Sequence, residues 1–215
     1  FIQSNPFTSA WVISHVRKAT HGEIALRNCQ PFVRELGGRW HTFAHNGDLL
    51  AIEHDARLRA EAFRPVGETD SELAFCALLE RLRPLWLAKT APTVQARLEV
   101  IQQFADELRR LGPANFLYCD SDALFAHADR RHQADGTVRP PGLWTLTRHC
   151  AAGGELSAEG MRIRAHDVDQ DVVLVASVAL TDERWLPMEQ GQVLVAQAGQ
   201  LHLPGATARA RAQKG

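Results

Sequence analysis

Three short stretches of this sequence concentrate groups that could do chemistry. The first carries His15, Arg17, Thr20, His21 and Gly22. The second carries His45, Asn46 and Gly47, and the third runs from Gly67 through Glu68, Thr69, Asp70 and Ser71 to Glu72. Arg17 offers a planar, forked guanidinium suited to bidentate capture of a carboxylate. Asp70 offers a carboxylate to a cation. Each stretch falls where an extended run ends or a helix begins, and binding groups concentrate at such ends. Each also has a plain structural reading. Arg17 could be a surface ion pair, Asp70 a first-turn charge that suits the helix dipole, and Asn46–Gly47 a hairpin turn. His15, His21 and His45 could be hydrogen-bonded histidines of the core or surface, and no ligand spacing supports a metal among them.

The elements that would position these groups can be read from pattern. Residues 10–17 (AWVISHVR) are apolar and β-branched enough for a buried strand. Residues 31–36 and 39–45 flank Gly37–Gly38 as a hairpin with a primed turn, and the second run ends at the turn dipeptide Asn46–Gly47. Thr69 to Glu72 fits a capping box. A helix follows with Leu73, Ala77, Leu78, Leu82 and Leu85 on one face, ended or kinked by Pro84. Thr90 and Pro92 announce a second helix with the stripe Val94, Leu98, Ile101, Leu108 and Leu111, and Gly112 is its expected stop. Strands then dominate: 116–119 and 123–128 as a hairpin around Asp120, Ser121 and Asp122, then 143–148, 161–166, 172–178 and 192–197. Residues 129–141 read as a long surface loop. Two successive helices break the βαβ rhythm of a doubly wound sheet, so an α+β arrangement of antiparallel sheets with helices outside is expected.

Bulk properties narrow the partners. The chain has 215 residues, 45% of them hydrophobic and 23% charged, with a net charge of −1. That balance gives no support to a nucleic-acid partner. No apolar run is long enough for a membrane span, so no membrane role is expected. The cysteines Cys29, Cys76, Cys119 and Cys150 form neither a CxxC pair nor a disulfide ladder, which suits a reduced, cytoplasmic protein.

The order H-x-R-x-A-T-H-G, A-H-N-G and E-T-D-S-E resembles the class II glutamine amidotransferases. The likeness is closer to stand-alone bacterial members, which share N-x-x-P-F (Asn28 to Phe32), F-R-P-V-G-E-T-D-S-E (Phe63 to Glu72) and L-T-x-x-x-W (Leu180 to Trp185). The resemblance spans about Trp11 to Val195 and implies the four-layer αββα sandwich of N-terminal-nucleophile hydrolases. It implies one domain over residues 1–204; the small, basic residues 205–215 are expected to form a flexible tail. It also implies hydrolysis of the glutamine side-chain amide to glutamate and ammonia, with no cofactor and no metal. Under it, Arg17 meets the α-carboxylate of glutamine and Asp70 the α-ammonium. Thr20 and His21 contact the substrate, and Asn46 with Gly47 forms an oxyanion hole.

The family's nucleophile is a cysteine exposed at the processed N-terminus, whose own amino group is the base. The sequence begins at Phe1 with only fourteen residues before His15. The expectation is therefore that the first strands and the nucleophile precede these residues, leaving an apolar face uncovered and this chain inactive alone. Cys29 is a poor substitute, since no α-amine adjoins it. Two other readings stay open: hydrolysis of another γ-glutamyl amide, as in ergothioneine-pathway relatives, and a non-catalytic binding or regulatory domain. Expected partners are glutamine or a γ-glutamyl compound and an ammonia-accepting enzyme; the oligomeric state is not legible.

Overall fold

A computed structural model describes residues 9–16, 23–151, 155–158, 161–164, 170–198 and 200–202. The expected hairpin forms from β1 (Phe32–Leu36) and β2 (Arg39–Gly47), paired antiparallel with Leu36 opposite Arg39. Gly37 and Gly38 adopt φ of 63° and 77°, the left-handed pair that a two-residue primed turn requires. Residues 10–16 do not form the expected strand. Trp11, Ile13 and His15 are half-buried while Val12 and Val16 are exposed. The alternation of an extended segment is there, but no neighbouring strand among the described residues supplies a ladder for it.

Helix α1 (Asp70–Trp86) starts with half of the expected capping box. Thr69 Oγ1 accepts from Glu72 N at 3.2 Å. The reciprocal half is diverted: the Glu72 carboxylate accepts from Val66 N at 3.0 Å and Gly67 N at 2.6 Å, and pairs with Arg34. Glu72 is buried, and a cation with two amide donors satisfies a buried carboxylate better than one N–H would. Pro84 neither ends nor breaks the helix, which runs on to Trp86; so near the C-terminus the lost backbone bond costs little. Helix α2 (Val94–Leu108) is capped by Thr93 rather than begun at Thr90. Gly112 is not its stop, because Arg109 caps it. Gly112 answers a different demand: a Cβ there would lie 1.9 Å from Asp48 O.

The remaining strands are β3 (Ala114–Cys119), β4 (Leu124–His127), the short ribbon β5 (Arg131–His132) and β6 (Val138–Arg139), β7 (Trp144–Cys150), β8 (Glu155–Ala158), β9 (Met161–Arg164), β10 (Gln170–Ala176), β11 (Leu186–Pro187), β12 (Val193–Gln197) and β13 (Gln200–His202). An antiparallel six-stranded sheet runs β1-β2-β3-β4-β12-β13. Alternate residues point to opposite faces. Phe43, Phe116, Tyr118, Phe125, Val193 and Val195 meet Phe75, Leu78, Leu82, Ile101 and Phe104 of the helices. From the other face Ala126 and Leu194 join Leu143, Met188 and Val175, which bring in the second sheet, β10-β7-β11. Helices, sheet and sheet are three successive layers of the expected α+β sandwich. On β1 and β2 the face turned from the helices leaves Val33 45% and Trp40 63% exposed.

Polar groups pin these layers. The turn between β3 and β4 carries Asp120 and Asp122, which hold the buried Arg97 of α2 at 2.6 Å each. Residues 129–141 are not wholly a surface loop. They contain the β5–β6 ribbon, and Asp129 is buried, accepting from Arg109 Nε at 3.2 Å and Gln190 Nε2 at 2.8 Å. The L-T-x-x-x-W spacing has a local cause: Trp185 Nε1 donates to Thr181 Oγ1 at 3.0 Å.

His127 is buried in β4. Its Nδ1 donates to Ala114 O at 2.6 Å, and burial pushes the imidazole down to about 4. The native state therefore resists protonation where the unfolded chain accepts it. Its contribution is fully present above the unfolded value of about 6.5 and is lost as pH falls from there toward about 4, some 3 kcal/mol in all. Urea unfolding of wild type and His127→Gln at about pH 7 and about pH 4.5 checks this: wild type should lose more stability, by about 2–3 kcal/mol.

Candidate active site

The end of β2 is built to bring backbone very close to its neighbours. Asn46 and Gly47 are not a hairpin turn. They are the last residues of the strand, opposite Asn115 and Ala114 of β3. A Cβ at Gly47 would stand 1.8 Å from Pro113 O, so only glycine lets the chain pass there. Asn46 O accepts from the side-chain amide of Asn115 at 3.0 Å. Asn115 is itself buried and tied to Arg130 O and Asp129 N. His45 N donates to Gln30 Oε1 at 2.5 Å, and His45 Nδ1 shares a hydrogen bond of 2.9 Å with Ser71 Oγ. Asn46 and Gly47 remain exposed.

Asp70 opens helix α1 beside that strand end. Its Oδ1 accepts from Ser71 N at 2.7 Å and Ser71 Oγ at 3.2 Å, and its Oδ2 accepts from Leu49 N at 2.8 Å. A carboxylate offers about four acceptor sites, so about one remains, on Oδ2. Asp70 lines a cleft of about 400 Å³ together with Asp48, Leu49, Ala51, Glu68 and Leu73. That volume is ordinary for a small-molecule site, and its carboxylates favour a cationic group. His45 stays neutral near neutrality: burial lowers its affinity for a proton, and the Asp70 charge opposes this only in part.

Arg17, Thr20 and His21 lie outside the described residues. The segments on either side of them are at the site. His15 is close enough for its charge to act on His45. On the other side, buried Asn28 donates to Glu23 O at 3.0 Å and accepts from Glu68 N at 2.9 Å. It thereby clasps residues 23–28 to the loop before Asp70. Gly67 is needed there, because a Cβ would come within 2.2 Å of Asn28 Oδ1. The structure thus joins Asn46, Gly47 and Asp70. It adds four bracing residues to which the sequence alone assigned no role: Asn28, Gln30, Ser71 and Asn115. Asn28 and Gln30 sit inside the N-x-x-P-F motif, which was the available signal. Among the cysteines, burial pushes the thiols of Cys76 and Cys119 up to about 11, which leaves them protonated and unreactive. Cys29 is exposed, with its sulfur 3.5 Å from Ala25 O.

The burial of Glu72 beside Arg34 predicts an asymmetry in stability. Arg34→Ala leaves the buried Glu72 carboxylate without its cation and should cost about 3 kcal/mol. Arg57→Ala breaks an exposed pair with Asp55 and should leave stability nearly unchanged. Urea denaturation of both variants tests the contrast.

No helix among the described residues is long and apolar enough to cross a membrane. The sequence profile of the family described as "Glutamine amidotransferases class-II" matches residues 1–214. YafJ of Escherichia coli K12, a candidate glutamine amidotransferase by its name, is 44% identical over 145 residues, 67% of this chain and 55% of its own length. The uncharacterized protein MJ1515 of Methanocaldococcus jannaschii is 31% identical over 204 residues, 93% of this chain and 52% of its own length. The chain spans about half the length of these curated relatives. A crystal structure of a predicted glutamine amidotransferase from Pseudomonas aeruginosa superposes with a TM-score of 0.67 at 34% identity, over 87% of this chain and 69% of that one. The allosteric regulatory enzyme of purine biosynthesis shares the fold at a TM-score of 0.51 and 18% identity, over 87% of this chain and 33% of its own. With the profile spanning nearly every residue and a relative of known structure 34% identical over 87% of the chain, the chain belongs to the class II glutamine amidotransferases.

Proposed function

We propose that the intact protein hydrolyses the side-chain amide of glutamine to glutamate and ammonia, using a cysteine nucleophile outside these 215 residues. The observation that carries this reading is the meeting of two groups distant in sequence. The Asp70 carboxylate accepts from Leu49 N, two residues beyond the Asn46–Gly47 corner, on the wall of one cleft. Glutamine presents an ammonium and an amide that need such a pair of sites.

In this reading Arg17 forks around the α-carboxylate, and the remaining acceptor site of Asp70 takes the α-ammonium. Thr20 and His21 contact the substrate from the intervening loop. Holding both head-group charges rejects peptides, which lack one of them. The thiolate of the N-terminal cysteine attacks the amide carbon, and the displaced electron pair settles on oxygen. The Asn46 side-chain amide and Gly47 N–H donate to that oxyanion, each removal costing about 3 kcal/mol of transition-state stabilisation. As the C–N bond breaks, the leaving nitrogen takes the proton held by the cysteine's α-amino group and departs as ammonia. Water then adds to the γ-glutamyl thioester, glutamate leaves and the thiol is restored. The reaction so read uses no metal and no cofactor. A reducing cytoplasm would keep the thiol free, and a partner enzyme would accept the ammonia.

In the intact protein, Cys→Ala at the processed N-terminus should abolish release of glutamate from glutamine without altering thermal unfolding; retained turnover would refute the mechanism. Arg17→Lys replaces a fork with a point charge and should raise KM for glutamine about tenfold or more at nearly constant kcat. An unchanged KM would remove Arg17 from the site.

A further inference from the structure

We propose that Ser71 and His45 are positioning residues that lock the backbone at Gly47 to the Asp70 carboxylate. The head-group end and the reacting end of the cleft then keep one fixed separation. This rests on the glutamine reading above and assigns work to two buried residues that the reaction does not touch directly.

The connection is continuous. Asp70 Oδ1 accepts from Ser71 Oγ at 3.2 Å, and Ser71 Oγ meets His45 Nδ1 at 2.9 Å. The far side of the imidazole backs onto Gly47: a Cβ on that glycine would lie 2.8 Å from His45 Nε2. The ring occupies the space that a side chain at position 47 would need, so moving the ring moves the strand end. Pro113 O crowds the same space, 1.8 Å from that Cβ position. Gly47 is thus packed against a carbonyl and an imidazole. Only the imidazole is tied to the carboxylate that would bind substrate.

Packing alone does not call for this ring. His45 is buried, and its ring interacts with the Pro113 backbone as well as with Ser71. An apolar side chain would fill the same volume without the cost of burying polar atoms. What an apolar residue could not supply is the bond to Ser71. Asp70, His15 and Asp48 all act on the ring electrostatically, which places it among the charges of the site. An oxyanion donor works only within a few tenths of an ångström of its productive position. A slack link should therefore weaken the transition state and leave substrate binding nearly intact.

The experiment is steady-state glutamine hydrolysis by the intact protein carrying Ser71→Ala, Ser71→Thr or Asp70→Asn, with thermal unfolding as a control. Ser71→Ala should lower kcat about tenfold or more with KM within about twofold, and Ser71→Thr, which keeps the hydroxyl, should recover kcat to within about threefold. Unchanged kcat in Ser71→Ala, a rise in KM as large as the fall in kcat, or no recovery with Thr overturns the proposal. If Ser71→Ala does not fold, His45→Gln is read by the same criteria. Asp70→Asn reports on the parent reading. If it leaves KM unaltered, the ammonium site is wrong. If it raises KM while Ser71→Ala keeps full kcat, the ammonium site stands and only the link fails.

Discussion

The close passage of the chain at Gly47 is the constraint around which this structure is arranged. There β2 runs so near Pro113 that no side chain fits between them. The same crowding recurs one layer out, where Gly112 admits Asp48 O. These contacts draw the segment after β2 against the start of β3, and the amide of Leu49 reaches the Asp70 carboxylate as a result. Helix α1 is thereby anchored by its first residue to the strand that ends at the cleft. Shifting the strand end would break the Leu49 bond, the His45–Ser71 bond and the Asn115 bond together.

A second layer of support comes from buried polar groups whose bonding capacity is almost filled. Asn28 spends both ends of its amide on backbone, and Glu72 accepts from two amides and a guanidinium. Leaving any of these unpaired would be costly in a low-dielectric interior. They therefore act as locks on the loop from Val66 to Thr69, which a hydrophobic core alone could not order. The apolar work is done elsewhere, by the aromatic layer of Phe43, Phe75, Phe104, Phe116 and Phe125 between helices and sheet. That division leaves the cleft walled by hydrogen-bonded polar groups.

Much of this was legible beforehand, and the failures have physical causes. The Gly37–Gly38 hairpin and both helices followed from turn chemistry and from apolar periodicity, which act locally. Pattern reasoning erred where a residue answers to something distant. Gly112 read as a helix stop but makes room for Asp48, and Asn46–Gly47 read as a turn but continues a paired strand. Glu72 read as a capping-box partner but is claimed by Arg34 on another strand. Residues 10–16 have the composition of a strand, yet a strand needs a neighbour, and composition cannot supply one.

By itself the sequence determined the family, because its three motifs stand in order between His15 and Glu72 and a matching L-T-x-x-x-W follows at Leu180 to Trp185. It also determined the Thr69 cap of the first helix and the apolar faces of both, since those depend on residues a few positions apart. Only the tertiary structure decided that Asn28, Gln30, Ser71 and Asn115 brace the strand end and the helix start. Their hydrogen bonds reach partners across loops and strands, and hydrogen bonding is directional and short-ranged. A polar side chain in a sequence shows what it can bond to in kind, and the fold alone determines which donor or acceptor comes within about 3 Å of it.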